Sequence, residues 1–336
     1  MKILGIETSC DDTGIALYDS TYGLIFNEKI SQSHIHNKYG GIVPEIASRE
    51  HLLNLFKIIN KILKNKNFFL KDITAIAYTE GPGLVGSLLV GATFGISLAY
   101  SLNIPAIPVN HMEAHLLSTM MEKKKCPIFP FLTLLVSGKH TQLIYSKKIG
   151  KYILLGETLD DSAGEAFDKI SRKLKLKYPG GPEISKLSKF GIFNKYFFPR
   201  PMIYQNNLNF SFSGLKTSVI NFINKFSYLS FQNKADISNA FEHAVIDVLV
   251  YKCKKAIQKK SLNRLVVAGG VSSNILLRKK LKKMLLKYNG KVYFSKPEFC
   301  TDNGAMIAYT GMLKFKLNKF KSDFNINVYP KLSIYK

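Results

Sequence analysis

Residues 2–19, K-I-L-G-I-E-T-S-C-D-D-T-G-I-A-L-Y-D, decide the fold of this chain. An apolar run, a short acidic turn and a second apolar run predict two strands joined as a hairpin. The same pattern returns at residues 131–146, F-L-T-L-L-V-S-G-K-H-T-Q-L-I-Y-S. Two such hairpins indicate a duplicated lobe, and we expect a nucleotide-sized cleft between the two copies.

Two further turns follow in the C-terminal part of the chain. The first is predicted at residues 264–278, R-L-V-V-A-G-G-V-S-S-N-I-L-L-R. This stretch indicates a buried strand, a glycine turn and a helix with Ser272, Ser273 or Asn274 as its N-cap. Backbone N–H groups at such a helix start can hold an anion or approach a nucleoside closely. Residues 300–309, C-T-D-N-G-A-M-I-A-Y, predict a second helix that begins at an acidic turn. Strands and helices in this order predict an α/β fold.

Length and composition favour two globular lobes. The chain has 336 residues, more than one hydrophobic core usually supports, and its 46% apolar and 21% charged residues are typical of a folded protein. We predict an N-terminal lobe of residues 1–110 plus 302–336 and a C-terminal lobe of residues 111–301. The C-terminal lobe is expected to carry the nucleotide and metal site at the cleft.

Cysteine usage and the N-terminus point to the cytoplasm. The four cysteines, Cys10, Cys126, Cys253 and Cys300, form no C-x-x-C pair and are typical of thiols in a reducing compartment. The first residues, M-K-I-L-G-I-E-T-S-C-D-D, reach acidic side chains too early for a secretory signal.

Residues 84–102, L-V-G-S-L-L-V-G-A-T-F-G-I-S-L-A-Y-S-L, are apolar over a length that could span a bilayer. Glycines at positions 83, 86, 91 and 95 would give this helix a small face for close packing, and strand-like segments flank it on both sides. We therefore expect a helix buried against a sheet.

The formal net charge of +25 is weak evidence for a nucleic-acid partner. Nearly all the cations are lysines, and the abundant asparagine, isoleucine, phenylalanine and tyrosine match AT-rich codons. Lysine-rich patches at residues 123–125 and 279–283 could contact phosphates, although solvated faces give the same pattern.

The clearest chemical signal is the pair His111 and His115, together with Asp302. Residues four apart share one helical face, so both imidazoles could bind one metal ion. Two histidines and one carboxylate leave open coordination positions and suit ferrous iron or zinc. A surface helix that happens to carry two histidines would give the same motif.

Ten sequence motifs together resemble one family, the universal tRNA N6-adenosine threonylcarbamoyltransferases, once described as glycoproteases. They are G-I-E-T-S-C-D-D-T, G-G-I-V-P-E-I-A-S-R-E-H, G-P-G-L-V-G-S-L-L-V-G, H-M-E-A-H, L-V-S-G-K-H-T-Q-L, G-E-T-L-D-D-S-A-G-E-A-F-D-K, Y-P-G-G-P, F-S-F-S-G-L-K-T, A-G-G-V-S-S-N and C-T-D-N-G-A-M-I-A, and they run from residue 5 to about residue 310. The resemblance implies the two-lobed fold of actin, sugar kinases and the heat-shock-70 ATPase, with duplicated lobes.

The resemblance also implies a reaction. A threonylcarbamoyl group would pass from threonylcarbamoyl-AMP to N6 of the adenosine next to the anticodon, in tRNAs that read ANN codons. His111, His115 and Asp302 would hold one divalent metal, with Fe²⁺ favoured over Zn²⁺. The family works with a scaffold paralogue and, in bacteria, a small ATPase.

Donor-binding and catalytic residues follow by matching the family's motifs to this sequence. Asp11 and Asp12 would face the reaction centre, where they would orient the amine or take its proton. The donor would be bound by Leu135, Val136, Ser137, Gly138, Lys139, Asp168, Gly181 and Asn274. The family usually has glycine at the position of Lys139, so donor affinity is the property that this departure puts in question.

Three alternatives stay open from the sequence. A zinc endopeptidase needs glutamate directly after the first histidine, but the acid here, Glu113, comes two residues after His111 and points away from it. A simple ATPase or sugar kinase would hold Mg²⁺ with carboxylates and phosphate rather than with histidine. A non-catalytic scaffold paralogue generally lacks the metal-binding histidines.

Overall fold

The structure, a computed structural model, describes residues 1–64, 70–122, 126–320 and 324–335. It divides the chain into two compact units, one of Met1–Lys124 with Thr301–Ile334 and one of Lys125–Cys300 with Tyr335–Lys336. The sequence predicts a boundary between residues 110 and 111, whereas the structure divides after Lys124 and so assigns both histidines of the metal motif to the first unit. The lysine patch at residues 123–125 lies outside the described residues.

The first unit contains a sheet of five strands within the described residues. They are β1 (Lys2–Glu7), β2 (Asp12–Asp19), β3 (Gly23–Ser31), β4 (Ala75–Gly81) and β5 (Ala106–Asn110), and their order is β3-β2-β1-β4-β5. Strands β1, β2 and β3 are antiparallel neighbours, while β4 runs parallel to β1 and β5 parallel to β4. The predicted first hairpin is β1 and β2, with Glu7 opposite Gly14.

The second unit repeats this arrangement over the residues that the structure describes. Its strands are β6 (Phe131–Val136), β7 (Thr141–Lys148), β8 (Lys151–Glu157), β9 (Arg264–Ala268) and β10 (Lys291–Phe294), in the order β8-β7-β6-β9-β10. Again the first three strands are antiparallel neighbours and the last two run parallel to the first. Each hairpin therefore begins a sheet of the same topology, which confirms the predicted duplicated α/β fold.

Ten α-helices occur in the described part of the chain. In chain order they are α1 (Ser33–His36), α2 (Pro44–Leu63), α3 (Val85–Ser101), α4 (His111–Ser118), α5 (Ala163–Lys173), α6 (Gly180–Ser188), α7 (Ser213–Ile223), α8 (Phe231–Lys260), α9 (Ile275–Leu286) and α10 (Gly304–Lys316). Helices α1 to α4 and α10 belong to the first unit, and the others to the second.

Helix α3 is the apolar segment whose length could suggest a membrane span. It packs on β4 and on α2, and the Thr8 hydroxyl donates to the Ser87 carbonyl at 2.8 Å. A Cβ atom at Gly91 would overlap the Thr8 Oγ1 atom, so glycine is needed for this close approach. Among the described helices, none combines the length and the apolar character that crossing a membrane requires. The expectation of a packed helix is confirmed.

Candidate metal centre and donor-binding turn

The two histidines of the metal motif begin helix α4. Asn110 ends β5, and its Oδ1 atom accepts the N–H groups of Met112 at 2.9 Å and Glu113 at 3.2 Å, so the helix starts directly at His111. The rings of His111 and His115 then lie on one face, with centroids 4.6 Å apart.

Asp302 reaches the same place from the start of α10. Asn303 caps this helix by accepting the Met306 N–H at 3.0 Å, and α10 packs on β1, β2 and α4. A Cβ atom at Gly304 would lie 2.6 Å from the Ala16 nitrogen, so only glycine lets the helix start come this close to the sheet.

Three candidate ligand atoms converge as the sequence predicts. Asp302 Oδ1 lies 3.0 Å from His115 Nε2 and 3.5 Å from His111 Nε2, and one ligand atom from each residue falls within 4.8 Å of the others. The two histidines are buried and Asp302 is half-buried. Two imidazole nitrogens and one carboxylate oxygen fit a divalent iron or zinc ion.

Glu7 holds His111 in the orientation that such a ligand needs. Its Oε2 atom lies 3.0 Å from His111 Nδ1, and its carboxylate accepts the Thr79 hydroxyl at 2.7 Å and the Ser9 N–H at 2.6 Å. With the Nδ1 proton donated to Glu7, the Nε2 lone pair of His111 faces Asp302. Local sequence patterns do not single out Glu7, although an acid at the end of an apolar strand is a signal.

The carboxyl groups of Asp302 and Glu7 are both ionised at this site. Burial alone would raise the pKa of Asp302, but the neighbouring His111 and His115 hold it well below its usual range. Burial would also raise the pKa of Glu7, but the neighbouring His111 outweighs burial and lowers the pKa of Glu7 below its ordinary value. Within the described residues, the buried Nδ1 atom of His115 has no hydrogen-bond partner.

The acidic turn before β2 is tied to its surroundings. Asp12 Oδ2 pairs with Lys29 Nζ at 2.6 Å, and Lys29 also donates to the Thr301 hydroxyl at 2.9 Å. Burial raises the pKa of Asp12 above its ordinary value. The Asp11 carbonyl accepts the Gln32 N–H at 3.1 Å.

His51 also supports this turn, a role that no local sequence pattern indicates. Its Nε2 atom lies 3.0 Å from the Cys10 carbonyl and must donate to it, so Nδ1 accepts the Thr13 hydroxyl at 2.8 Å. Burial lowers the pKa of His51 and keeps the ring neutral.

The second hairpin turn, between β6 and β7, is closed by Ser137. The Ser137 N–H donates to the His140 carbonyl at 2.8 Å, and the Ser137 hydroxyl accepts the N–H groups of His140 at 3.1 Å and Lys139 at 3.3 Å. The main-chain N–H groups of Lys139 and His140 are therefore engaged inside the turn. Lys139 is not among the described non-glycine residues with positive φ, so the lysine causes no such backbone strain.

Helix α5 begins beside this turn. The Ser162 hydroxyl donates to the Gly138 carbonyl at 2.7 Å and accepts the Glu165 N–H at 3.1 Å as the N-cap. The side chains of Leu135 and Val136 are buried at the end of β6, so only their main-chain atoms can meet a ligand.

Three more predicted binding residues lie in the second unit. Asp168 accepts the Gly180 N–H at 2.7 Å, and burial raises the pKa of this carboxyl. A Cβ atom added at the next residue, Gly181, would meet no atom within 4 Å, so the space there is open.

Asn274, one of the three predicted caps, is the N-cap of α9. Its Oδ1 atom accepts the Leu277 N–H at 2.9 Å, while its amide donates to Glu242 at 2.7 Å and to the Ser185 hydroxyl at 2.9 Å. The buried Glu242 thus fixes Asn274, which the sequence alone does not indicate.

Comparison with known proteins identifies relatives over the whole chain. Residues 23–309 match the family model described as tRNA N6-adenosine threonylcarbamoyltransferase (TsaD). A protein with this description from Buchnera aphidicola subsp. Schizaphis graminum is 59% identical over 337 residues, which cover 100% of this chain and 99% of that protein. Another from Wigglesworthia glossinidia brevipalpis is 52% identical over 334 residues, with 99% and 98% covered.

Solved structures agree on the fold at much lower identity. HypF from T. kodakarensis has a TM-score of 0.62 at 14% identity, covering 94% of this chain, and this chain spans only 48% of that protein. Component A of the (R)-2-hydroxyglutaryl-CoA dehydratase from Acidaminococcus fermentans has a TM-score of 0.54 at 12% identity, with 93% and 98% covered. These likenesses concern the fold alone, whereas the family match and the high identities show that the chain is a transferase and belongs to the tRNA N6-adenosine threonylcarbamoyltransferase family.

Proposed function

We propose that this chain transfers a threonylcarbamoyl group from threonylcarbamoyl-AMP to N6 of the adenosine next to the anticodon, in tRNAs that read ANN codons. The observation that carries the proposal is the convergence of His111, His115 and Asp302, with Glu7 behind them, in a chain 59% identical to a relative named for this activity. A reaction on tRNA fits a cytoplasmic protein.

The reaction joins a weak nucleophile to an activated carbonyl. The adenosine N6 attacks the carbamoyl carbon, the bond from this carbon to the phosphate oxygen breaks, and AMP leaves while N6 loses a proton. A divalent ion held by His111, His115 and Asp302, with Fe²⁺ preferred to Zn²⁺, would supply positive charge to polarise a carbonyl or phosphate oxygen. Positioning of the amine supplies much of the remaining rate enhancement.

Asp12 is the proposed acceptor of the N6 proton. Its carboxylate is held by Lys29 at 2.6 Å, which fixes its direction, and burial raises its pKa and so makes it a better base. Asp11, on the same turn, is proposed to orient the amine. His51 keeps this turn in place through Cys10 and Thr13.

The second unit is proposed to bind the AMP part of the donor. In the turn of residues 137–140, the N–H group of the exposed Gly138 would meet the phosphate, and the exposed Lys139 side chain would add a positive charge. Asp168 would accept a ribose hydroxyl beside the open space at Gly181. Asn274, held by Glu242, would border the adenine or the ribose.

A scaffold paralogue and a small ATPase are the proposed protein partners. One surface of the first unit suits the paralogue, because α2 exposes three large apolar side chains on one face, with relative exposures of 50% for Leu52, 52% for Leu53 and 55% for Phe56. Helix α3 packs against α2 and adds the exposed Val85 and Leu89. Contiguous apolar patches of this kind are typical of helix–helix interfaces.

A peptidase function is disfavoured by the position of Glu113. Its side chain is buried on α4, and the group that can hold a metal consists of His111, His115 and Asp302 within the described residues. Activation of a metal-bound water by glutamate needs that acid next to the first histidine.

The experiment is transfer of labelled threonine to tRNA, with donor made in situ and the partner proteins present. The control tRNA carries guanosine in place of the adenosine next to the anticodon. Label on the adenosine tRNA alone is the expected result. Label on neither tRNA, with partners shown to be active, would contradict the proposal and favour a non-catalytic scaffold.

A further inference from the structure

A cavity of about 730 Å³ lies on the second unit, between the segment of residues 197–204 and helix α8. We call it the α8 groove. Its lining consists of Phe197, Phe198, Pro199, Arg200, Ile203, Tyr204, Asp247, Val250, Tyr251 and Lys254. None of these residues belongs to the metal group or to the donor-binding set described above.

The rim of the α8 groove presents aromatic rings to solvent. Phe197 is 73% exposed and Tyr204 is 80% exposed. Tyr204 contacts Tyr251 edge to face, with ring centroids 5.6 Å apart, so the ring is oriented although it is exposed. Oriented, exposed aromatic rings are the surfaces on which unpaired nucleic-acid bases stack.

Charges around the α8 groove favour an anion. Asp247 lies between two cations, at 2.9 Å from the Arg200 guanidinium and 2.6 Å from Lys280 Nζ. Lys254 on the rim is exposed, and no carboxylate in the described part of the chain pairs with it. Among the lining residues, the cations Arg200 and Lys254 outnumber the carboxylate Asp247, which Lys280 also pairs with from outside the groove.

The α8 groove is built from segments that are bonded together. Arg200 donates to the Phe198 carbonyl at 2.8 Å as well as to Asp247. From α8, the buried Lys252 donates to the Asn207 carbonyl at 2.8 Å and Lys255 donates to the Gln205 carbonyl at 3.0 Å. These bonds hold the segment to the helix, so the groove exists without a ligand.

We propose that the α8 groove binds an unstacked nucleotide of the substrate tRNA, with its base against Tyr204 and Phe197 and its phosphate near Lys254 and Arg200. The inference rests on the proposed function, because it takes tRNA as the substrate. It goes beyond that function by assigning a second contact for the RNA, outside the metal group.

The test measures binding of fluorescently labelled, unmodified tRNA to the full chain by anisotropy, at several salt concentrations. Tyr204→Ala and Phe197→Ala should each weaken binding about tenfold, the usual effect of removing one stacked ring. Tyr204→Phe keeps the ring and should bind as wild type. Lys254→Ala should weaken binding and lower the salt slope by about one.

Controls separate a groove from a general surface effect. Tyr228, which is 80% exposed on the same unit, and Lys287, exposed after α9, are outside the α8 groove. Tyr228→Ala and Lys287→Ala should keep wild-type affinity, and thermal unfolding checks that all variants are folded.

Three outcomes would overturn the inference. The first is wild-type tRNA affinity in both Tyr204→Ala and Phe197→Ala. The second is weaker binding of free AMP, measured separately, in variants whose tRNA affinity is unchanged. That result would make the groove a mononucleotide site. The third is loss of a protein partner with tRNA affinity unchanged. Because threonine transfer by the wild type is measured separately, failure of the groove is distinguishable from failure of the proposed function.

Discussion

The turn between β1 and β2 and the turn between β6 and β7 hold equivalent positions in two sheets of the same strand order. Their surroundings differ. The first begins with the buried Thr8 and Ser9 and carries two aspartates, of which Asp12 is paired with Lys29. The second exposes Gly138 and Lys139 and is closed by its own serine.

This difference indicates that equivalent turns of a duplicated fold can serve different chemical functions. The same backbone position is acidic and contacts the candidate metal ligands in one unit, and is neutral to basic and exposed in the other. Acidic groups suit proton transfer, whereas an exposed glycine N–H and a lysine suit a phosphate. Topology fixes where the turns are, and side chains decide what each turn does.

Between the two turns, the largest expected effect comes from removing the proposed base of the first turn. Asp12→Asn keeps the shape of the side chain but accepts no proton, so the rate of threonine transfer should fall by about 100- to 10,000-fold. Single-turnover transfer assays measure it. Asp72→Asn, which changes an exposed acid paired with Lys2, is the matched control. A near-normal rate in Asp12→Asn would mean that a group other than Asp12 accepts the N6 proton.

Glu7→Gln should change the affinity for the metal rather than the transfer of the N6 proton. It removes the carboxylate that holds His111, so metal affinity should fall about 10- to 100-fold. Titration with a chelator, followed by elemental analysis, measures this. The surface variant Glu28→Gln, which breaks an exposed pair with Lys61, should leave affinity unchanged. Unchanged affinity in Glu7→Gln would mean that Glu7 is not needed to hold His111 for metal binding.

In the second turn, Ser137→Ala should have a smaller effect. The N–H groups of His140 and Lys139 lose their shared acceptor, so the free energy of unfolding should fall by about 1 kcal/mol. Donor affinity should weaken more than the rate of transfer at saturating donor. Chemical denaturation and the KM for the donor check both statements, and a loss confined to the saturated rate would contradict them.

The smallest effect is expected at Lys139. Lys139→Gly should keep or improve transfer at saturating donor, because the backbone there is not at positive φ and accepts either residue, while the lost charge acts on donor affinity. The comparison with Lys148→Gly, an exposed lysine at the far end of β7, controls for loss of charge. Complete loss of activity in Lys139→Gly alone would mean that the lysine has become essential.

Much of the fold follows from the sequence because its signals are local. Both hairpins, the packed helix α3 and the cap at Asn274 are each set by neighbouring residues, and all are present. Strands β3 and β8 were not predicted. They are half-buried edge strands with mixed polar and apolar residues, so their alternation is weak.

The supporting residues of the candidate site could not be predicted for a different reason. Glu7 and His111 are 104 positions apart in the chain, and Asn274 and Glu242 are 32 apart. Nothing in either local pattern indicates the partner. The three candidate metal ligands were found only because the residue types themselves are chemically distinctive.

The most direct test compares metal content and threonine transfer in the wild type, in His115→Ala and in His34→Ala, which removes an exposed histidine. We predict about one divalent ion per chain and full transfer in the wild type and His34→Ala, and loss of both in His115→Ala. Transfer that survives in His115→Ala without bound metal would show that the reaction does not depend on a metal at His111, His115 and Asp302.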